Sequence, residues 1–506
     1  MLYAIARHDG HSGSVMATNA NQPNQPPESL RDQVRSAVLW RSGAQIVGQI
    51  ITWSSTFLVI RVLDPQDYGL FAMTQVVLTL LDMLNGYGLS SALIQQKDAS
   101  RRQFRQLFGM LLLLNGGIAA VQFVMAPLAA SYFQQPMVAD LLRVQALIFL
   151  TTPFIALAYT QLARRMDFRK QAQVNLVSSL AGALTALAGA YNGLGVWTLV
   201  FAPMVLFGVR AVGMTWMART WMWPSFDFRG AGNIAKFGGL MAAGQIFWFL
   251  QSQADVLIAG RSLDPHWLGI YTTSLFLTQI FVAKFVPPLN DVAFSAYSRI
   301  QSDEGAVAGA FAKSARIILL AAMPFYCGLA ATAEPVVGVV LGEKWLEAVP
   351  FVRLLALAMP FMTLQILFAP AANARGYPGV SLRTNAIGAA ILPISFVVGI
   401  QWGITGLALA WVAAYPLYCA ITAQRTLPLI GLGGGDLLRA IAPPILAALA
   451  MALVVTLVDR ALPAMGDFER LLILVPTGAA VYLAWLALFA RQLLAECIGL
   501  VRKRAV

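Results

Sequence analysis

From residue 37 to residue 490 the chain is written as runs of roughly 20 apolar residues, separated by short clusters of Gly, Pro, Asp and Arg. A helix rises about 1.5 Å per residue, so such a run is long enough to cover a hydrocarbon layer about 30 Å thick. Fourteen runs can be placed, at 37–60, 69–93, 106–130, 138–159, 172–190, 195–217, 235–259, 268–289, 314–333, 349–371, 380–400, 404–423, 440–458 and 471–490. The tightest connections fall at Asn192-Gly193 and Trp402-Gly403, where Gly and Asn let the chain reverse in a few residues. The pattern predicts an all-α integral membrane protein of about 14 transmembrane helices. Residues 1–36 break it: Asn19 to Pro27 reads Asn-Ala-Asn-Gln-Pro-Asn-Gln-Pro-Pro, which has little apolar surface to bury and predicts a disordered tail. The tail holds no apolar region of the kind that marks a secretory signal, so the first long run is expected to stay as a membrane helix.

Composition agrees. Hydrophobic residues make up 58% of the 506 and charged residues 11%, with a mean hydropathy of +0.68, whereas soluble domains carry roughly 25% charged residues. A soluble enzyme is excluded. A net charge of +12 on a soluble chain would suggest nucleic acid, but here the distribution of Lys and Arg between connections comes first. With the N-terminus cytoplasmic, 26 of the 35 cations fall in cytoplasmic segments and seven on the other side, leaving Arg210 and Lys284 inside spans. That asymmetry predicts two cytoplasmic termini and needs no nucleic acid to explain it.

The chain also echoes itself. Arg61-Val-Leu-Asp-Pro-Gln-Asp-Tyr-Gly-Leu-Phe71 and Arg261-Ser-Leu-Asp-Pro-His-Trp-Leu-Gly-Ile-Tyr271 share five of eleven positions at an offset of 200. Arg143-Val-Gln-Ala-Leu147 and Arg353-Leu-Leu-Ala-Leu357 form a second pair, and Gly193 and Gly403 a third, both at an offset of 210. Three echoes in one order predict two parallel six-helix lobes related by an internal repeat, 37–218 and 235–423. Two extra C-terminal helices in 440–490 and a cytoplasmic tail at 491–506 follow. Transporters are built on such repeats, with the substrate path between the halves. In the first echo, Asp suits an N-cap and Pro the first helical position, so Asp64 and Asp264 are expected to start spans two and eight.

A charge at mid-bilayer costs at least about 2.5–3.5 kcal/mol and must face a partner or a wet cavity. Asp82, Arg210, Asp255 and Lys284 are so placed, accompanied by Asn85, Gln245, Gln251, Ser252, Gln253 and Gln279, with Glu334 closing span nine. Gln251 and Asp255 are spaced for one helix face. The Asn and Gln groups either line a cavity between the lobes or hydrogen-bond helices together. Lys284 has no acidic residue one turn away, which favours the cavity; Arg210 is near enough to its span's cytoplasmic end to snorkel instead. Trp248 and Phe249, aromatic residues just ahead of the Gln251–Asp255 face, are expected to face lipid. No phosphate-binding loop or His-Glu metal pattern appears, the three His residues lie in the tail or a loop, and Cys327, Cys419 and Cys497 have no near partner. Neither catalysis nor a cofactor or metal is expected.

Several segments carry a family likeness. Asp67-Tyr-Gly-Leu-Phe-Ala-Met-Thr74, Gly88-Leu-Ser-Ser-Ala-Leu-Ile-Gln-Gln96, Phe294-Ser-Ala-Tyr-Ser-Arg-Ile-Gln-Ser-Asp303 and Leu341-Gly-Glu-Lys-Trp345 resemble, in order, segments of the Wzx-type polysaccharide flippases of the MOP superfamily, in their colanic-acid-type branch. The likeness runs over about residues 37–425; Gly86 departs from it where the branch often has an acid, which shifts attention to Asp82. The resemblance implies translocation of a polyprenyl-diphosphate-linked oligosaccharide to the periplasmic leaflet of a bacterial inner membrane, for exopolysaccharide, capsule or O-antigen assembly. Membrane lipid and the pathway's polymerase and chain-length proteins are the partners it implies. Lys284 and Arg61 would supply charge-assisted contacts to phosphate. A small-molecule or cation antiporter of the related MATE branch would share the two-lobe plan. Repeat unit, coupling ion and oligomeric state stay open.

Overall fold

The computed structural model describes the backbone of residues 30–85, 100–165, 167–227, 232–491 and 493, and side chains from residue 43 except within 232–246 and at 304. The expected tails, the resembling segment 88–96 and Gly86 lie wholly or largely outside the described residues. The chain runs as α1 (Leu30–Val62), α2 (Pro65–Asp82), α3 (Arg101–Phe133), α4 (Met137–Gln145), α5 (Thr152–Arg164), α6 (Phe168–Tyr191) and α7 (Val196–Ala218). It continues as α8 (Gly232–Ser262), α9 (Pro265–Arg299), α10 (Glu304–Ala331), α11 (Ala333–Val340), α12 (Val349–Ile366), α13 (Phe368–Ala374), α14 (Pro378–Gly399), α15 (Gly403–Thr426), α16 (Gly434–Ala461) and α17 (Asp467–Phe489). Among the described residues, eleven helical stretches are long and apolar enough to cross a membrane, and three of them, Met137–Arg164, Glu343–Ala374 and Pro378–Ile430, each contain two α-helices. α2, which holds Asp67 and Asp82, is not among the eleven, and α8 is described with side chains only from residue 247 onward. The protein is an all-α, multi-pass membrane protein; the expected fourteen spans go beyond these eleven.

The helices fall into two groups. In the first, α1 packs on α6 and α6 on α7; in the second, α8 packs on α14, α14 on α15 and α12 on α15. The groups meet where α2 packs along α9. α16 and α17 pair with each other and dock on the second group through α10. That docking uses a proline: Pro324 has no N–H for the Leu320 carbonyl one turn back, and the Tyr482 hydroxyl of α17 donates to that carbonyl at 2.8 Å. Arg470 ties the same hairpin to α11, with Asp459 at 3.0 Å, Asp467 at 3.4 Å and Glu334 at 3.7 Å.

The Asp-Pro elements begin helices as expected. Pro265 stands at the start of α9 and the Asp264 carboxylate accepts the Trp267 N–H at 3.0 Å. Asp64 holds the N-cap of α2, but the local carboxylate bond runs the other way, from the Asp64 N–H to Asp67 at 3.2 Å. The third echo shifts. Gly195 (φ 53°, ψ −133°) has nearly the backbone of Gly403 (φ 66°, ψ −153°), so the conformational equivalents lie at an offset of 208 rather than 210. Gly193 (φ 72°) instead terminates α6, where the Leu194 N–H reaches the Gly189 carbonyl, a left-handed helix ending that favours glycine.

Candidate functional site

α9 carries the candidate cation. Its sequence stays helical from Pro265 through Lys284 and on to Arg299, across Pro287 and Pro288. Those prolines supply no N–H to the carbonyls of Ala283 and Lys284. Lys284 is exposed, and its ammonium meets the Gln49 amide oxygen of α1 at 3.3 Å. Lys284 and Gln49 thus join the two helix groups with a neutral partner rather than a carboxylate. Toward the Asp64 end of the same seam, Phe57 of α1 and Phe276 of α9 have ring centroids 6.3 Å apart. The two contacts lie in opposite order along the two helices, so α1 and α9 run antiparallel at the seam. A cation held by one neutral oxygen keeps hydrogen-bonding capacity for an incoming anion.

The remaining candidates do not gather around Lys284. Gln251 faces its own group: its amide donates to the Asn385 carbonyl of α14 at 3.0 Å and its oxygen accepts from Tyr418 of α15 at 3.3 Å. Asp255, 1% exposed, accepts from the Tyr271 hydroxyl at 2.7 Å, and that hydroxyl accepts from the Trp411 indole N–H at 2.7 Å. The α8 stripe therefore ties α8 to α9, α14 and α15, as inter-helix hydrogen bonds do. Asp82 is exposed at the end of α2, where it accepts from Asn85 at 2.7 Å; the Asn85 carbonyl accepts from buried Asn115 of α3 at 2.9 Å. Arg210, half-buried, reaches Ser178 of α6 at 3.4 Å and lies over the Phe207 ring. Arg61 is exposed at the Asp64 end, beside Gly342. Gln253 and Gln279 are half-buried, Trp248 is exposed and Phe249 is buried; the side chain of Gln245 lies outside the described residues.

Tyr271, Trp411 and Gln49 were not among the expected site residues. Tyr271 closes the first echo, opposite Phe71, and its added hydroxyl was the available signal. Trp411, Tyr415 and Tyr418 form an aromatic run on α15 that reads as core in an apolar span. Gln49 lies in an exposed stretch of α1, and only its approach to Lys284 sets it apart. Among the described residues no group of three His, Cys, Asp or Glu could hold a metal ion.

Residues 58–350 match the family described as "Polysaccharide biosynthesis protein". The chain is 26% identical over 463 residues to the succinoglycan biosynthesis transport protein ExoT of Rhizobium meliloti (strain 1021), covering 88% of this chain and 91% of that one. It is 23% identical over 330 residues to the lipopolysaccharide biosynthesis protein WzxC of Escherichia coli (strain K12), covering 65% and 67%. Among solved structures it resembles the lipid II flippase MurJ in an inward closed conformation, with a TM-score of 0.72, 15% identity, and coverage of 90% of this chain and 100% of that one. An inward-facing MATE multidrug transporter of the MOP superfamily follows at a TM-score of 0.57 and 13% identity, covering 76% and 98%. At these identities the structural likeness concerns the fold alone.

Proposed function

Since the chain belongs to the polysaccharide biosynthesis protein family and has a MOP-type membrane fold, we propose that it is a flippase for polyprenyl-diphosphate-linked oligosaccharide repeat units. In this reading it moves them from the cytoplasmic to the periplasmic leaflet for exopolysaccharide, capsule or O-antigen assembly. Relatives named as polysaccharide transport and biosynthesis proteins point to a transporter rather than an enzyme. The lobes are 37–218 and 235–423, with both termini cytoplasmic, and the Asp64 and Asp264 turns mark the outer end. The observation that carries the substrate class is Lys284 at the seam, a cation in a span bonded to neutral Gln49. A charge within a membrane span is costly without a counter-charge, and a diphosphate passing between the lobes supplies one transiently. In the same reading Arg61, exposed at the outer end, receives the same group.

Transport then follows from alternating access. The lobes rock about the shared cavity between them, so that the seam opens to one leaflet at a time. The test is Lys284→Ala. Cells carrying it are expected to accumulate the polyprenyl-linked repeat unit and lose surface polymer at normal protein level, with Lys284→Arg keeping part of the output because charge is retained while geometry changes. Normal polymer from Lys284→Ala would remove the lysine from the path. A MATE-like cation antiporter would instead move a small cation in reconstituted vesicles and leave the lipid-linked glycan in place.

A further inference from the structure

The outer end is closed by more than the packing of α2 on α9. Helix α1 ends at Val62, and a helix end leaves its last carbonyls without intrahelical donors. Two of those carbonyls are taken by the other lobe. The indole N–H of Trp345 donates to the Ile60 carbonyl at 2.9 Å, and the Lys344 ammonium donates to the Val62 carbonyl at 3.0 Å and to the Asp64 carboxylate at 2.7 Å. Trp345 is fully buried and meets Tyr68 of α2 edge to face, with centroids 5.5 Å apart. Both side chains come from one 3₁₀ turn, Glu343–Ala348, entered through Gly342 at φ 99°, a backbone that favours glycine. The far side of the turn is held to its own lobe, where Glu347 meets His266 at 2.6 Å.

A reciprocal grip lies across the seam. Tyr132, at the outer end of α3, donates its hydroxyl to the Leu257 carbonyl of α8 at 3.3 Å, while Arg261 donates to the Tyr132 carbonyl at 2.9 Å. Each lobe thus holds the outer end of the other lobe's leading helix. The two grips differ in strength: the first combines a buried indole donor and an ammonium at a helix C-terminus, where positive charge is favoured, and the second uses a phenol and an exposed Arg.

We propose that the turn Glu343–Ala348 is a releasable latch, in which Lys344 and Trp345 cap α1 to hold the outer gate shut and let go when the gate opens. The latch rests on the alternating-access reading above. Its bonds are hydrogen bonds at a helix end close to the membrane surface, which water can replace on opening, so the closed state is favoured without being locked. The carrier's cycle would then depend on this turn even though it touches no substrate.

The test measures the gate apart from transport. Spin labels at Gln66 and Arg353, both exposed at the outer end of opposite lobes, report the gap in the full-length protein with its native cysteines replaced. Lys344→Ala and Trp345→Phe are each expected to raise the ratio of wide to narrow distances roughly tenfold. Lys344→Arg and Leu346→Ala, the latter an exposed neighbour in the same turn, should leave it unchanged. An unchanged distribution in both folded latch variants overturns the latch, even if the parent protein exports glycan normally. A widened gap in protein that moves no lipid-linked glycan in any form, the parent included, sustains the latch and overturns the transport reading.

Discussion

The bundle closes twice, and the two closures are built from different material. At the Asp64 end, α2 and α9 meet backbone to backbone: a Cβ on Gly69 would fall on the Pro265 carbonyl and a Cβ on Gly269 on the Pro65 carbonyl. Along the seam between α1 and α9 the contacts are Phe57 with Phe276 and Gln49 with Lys284, side chain to side chain. A backbone crossing is all or nothing, because no rotamer can relieve it. Side chains that meet at their tips can part and turn toward a ligand at the cost of one weak contact each. On the proposed reading, the Gly-Pro crossing is the seal and the seam is the passage.

The strongest way to break this division is Gly69→Leu. Four carbons placed on a backbone carbonyl cannot repack, so the crossing must separate, and overpacking at rigid sites costs about 1–3 kcal/mol or more. The expected outcome is loss of surface polymer with the outer gap held wide in label-distance measurements; a narrow gap and normal polymer would show that the crossing is not the seal. Second in size is Tyr271→Phe, which tests whether α9 can serve both closures only because it is pinned to its own lobe. Removing the shared hydroxyl leaves buried Asp255 and the Trp411 N–H without each other's bridge. A charge-assisted bond of that kind is worth about 1.5–3 kcal/mol, read as a lowered thermal midpoint in detergent. Lys284→Ala should act in the reverse manner, cutting export while the thermal midpoint stays within the shift of a substitution worth about 0.5 kcal/mol. The smallest effect is expected from Gln49→Ala. It removes one neutral acceptor from the ammonium, so export should fall less than with Lys284→Ala, and a loss as large would make Gln49 an equal partner in binding.

The outer grips sharpen the same contrast within the seal. The Lys344–Trp345 grip caps a helix end, whereas the Tyr132–Arg261 grip binds a helix that still has its own hydrogen bonds at Leu257. Tyr132→Phe is therefore expected to widen the gap less than Lys344→Ala, as measured with the same label pair.

Much of this was legible in the one-dimensional pattern. Runs of apolar residues and the placement of Lys and Arg report each residue's preference for lipid, water or one membrane face, and such preferences need no knowledge of neighbours. That is why an all-α membrane protein, the helix starts at Asp64 and Asp264, and Lys284 as a charge within an apolar span could be read directly. Pairings between distant segments could not. Asp255 and Lys284 look alike in the sequence, each a charge in an apolar span, yet the folded chain buries one against Tyr271 and aims the other at the opposite lobe. Gly69 is one small residue among many until Pro265 is brought onto it, and the turn at Lys344 reads as a polar loop until Ile60 and Val62 present their carbonyls. The sequence by itself determined the solvent of each segment and the helices that follow from it. Which side chains face one another was decided only by the tertiary structure, because a contact between lobes depends on the rotation and separation of helices far apart in the chain.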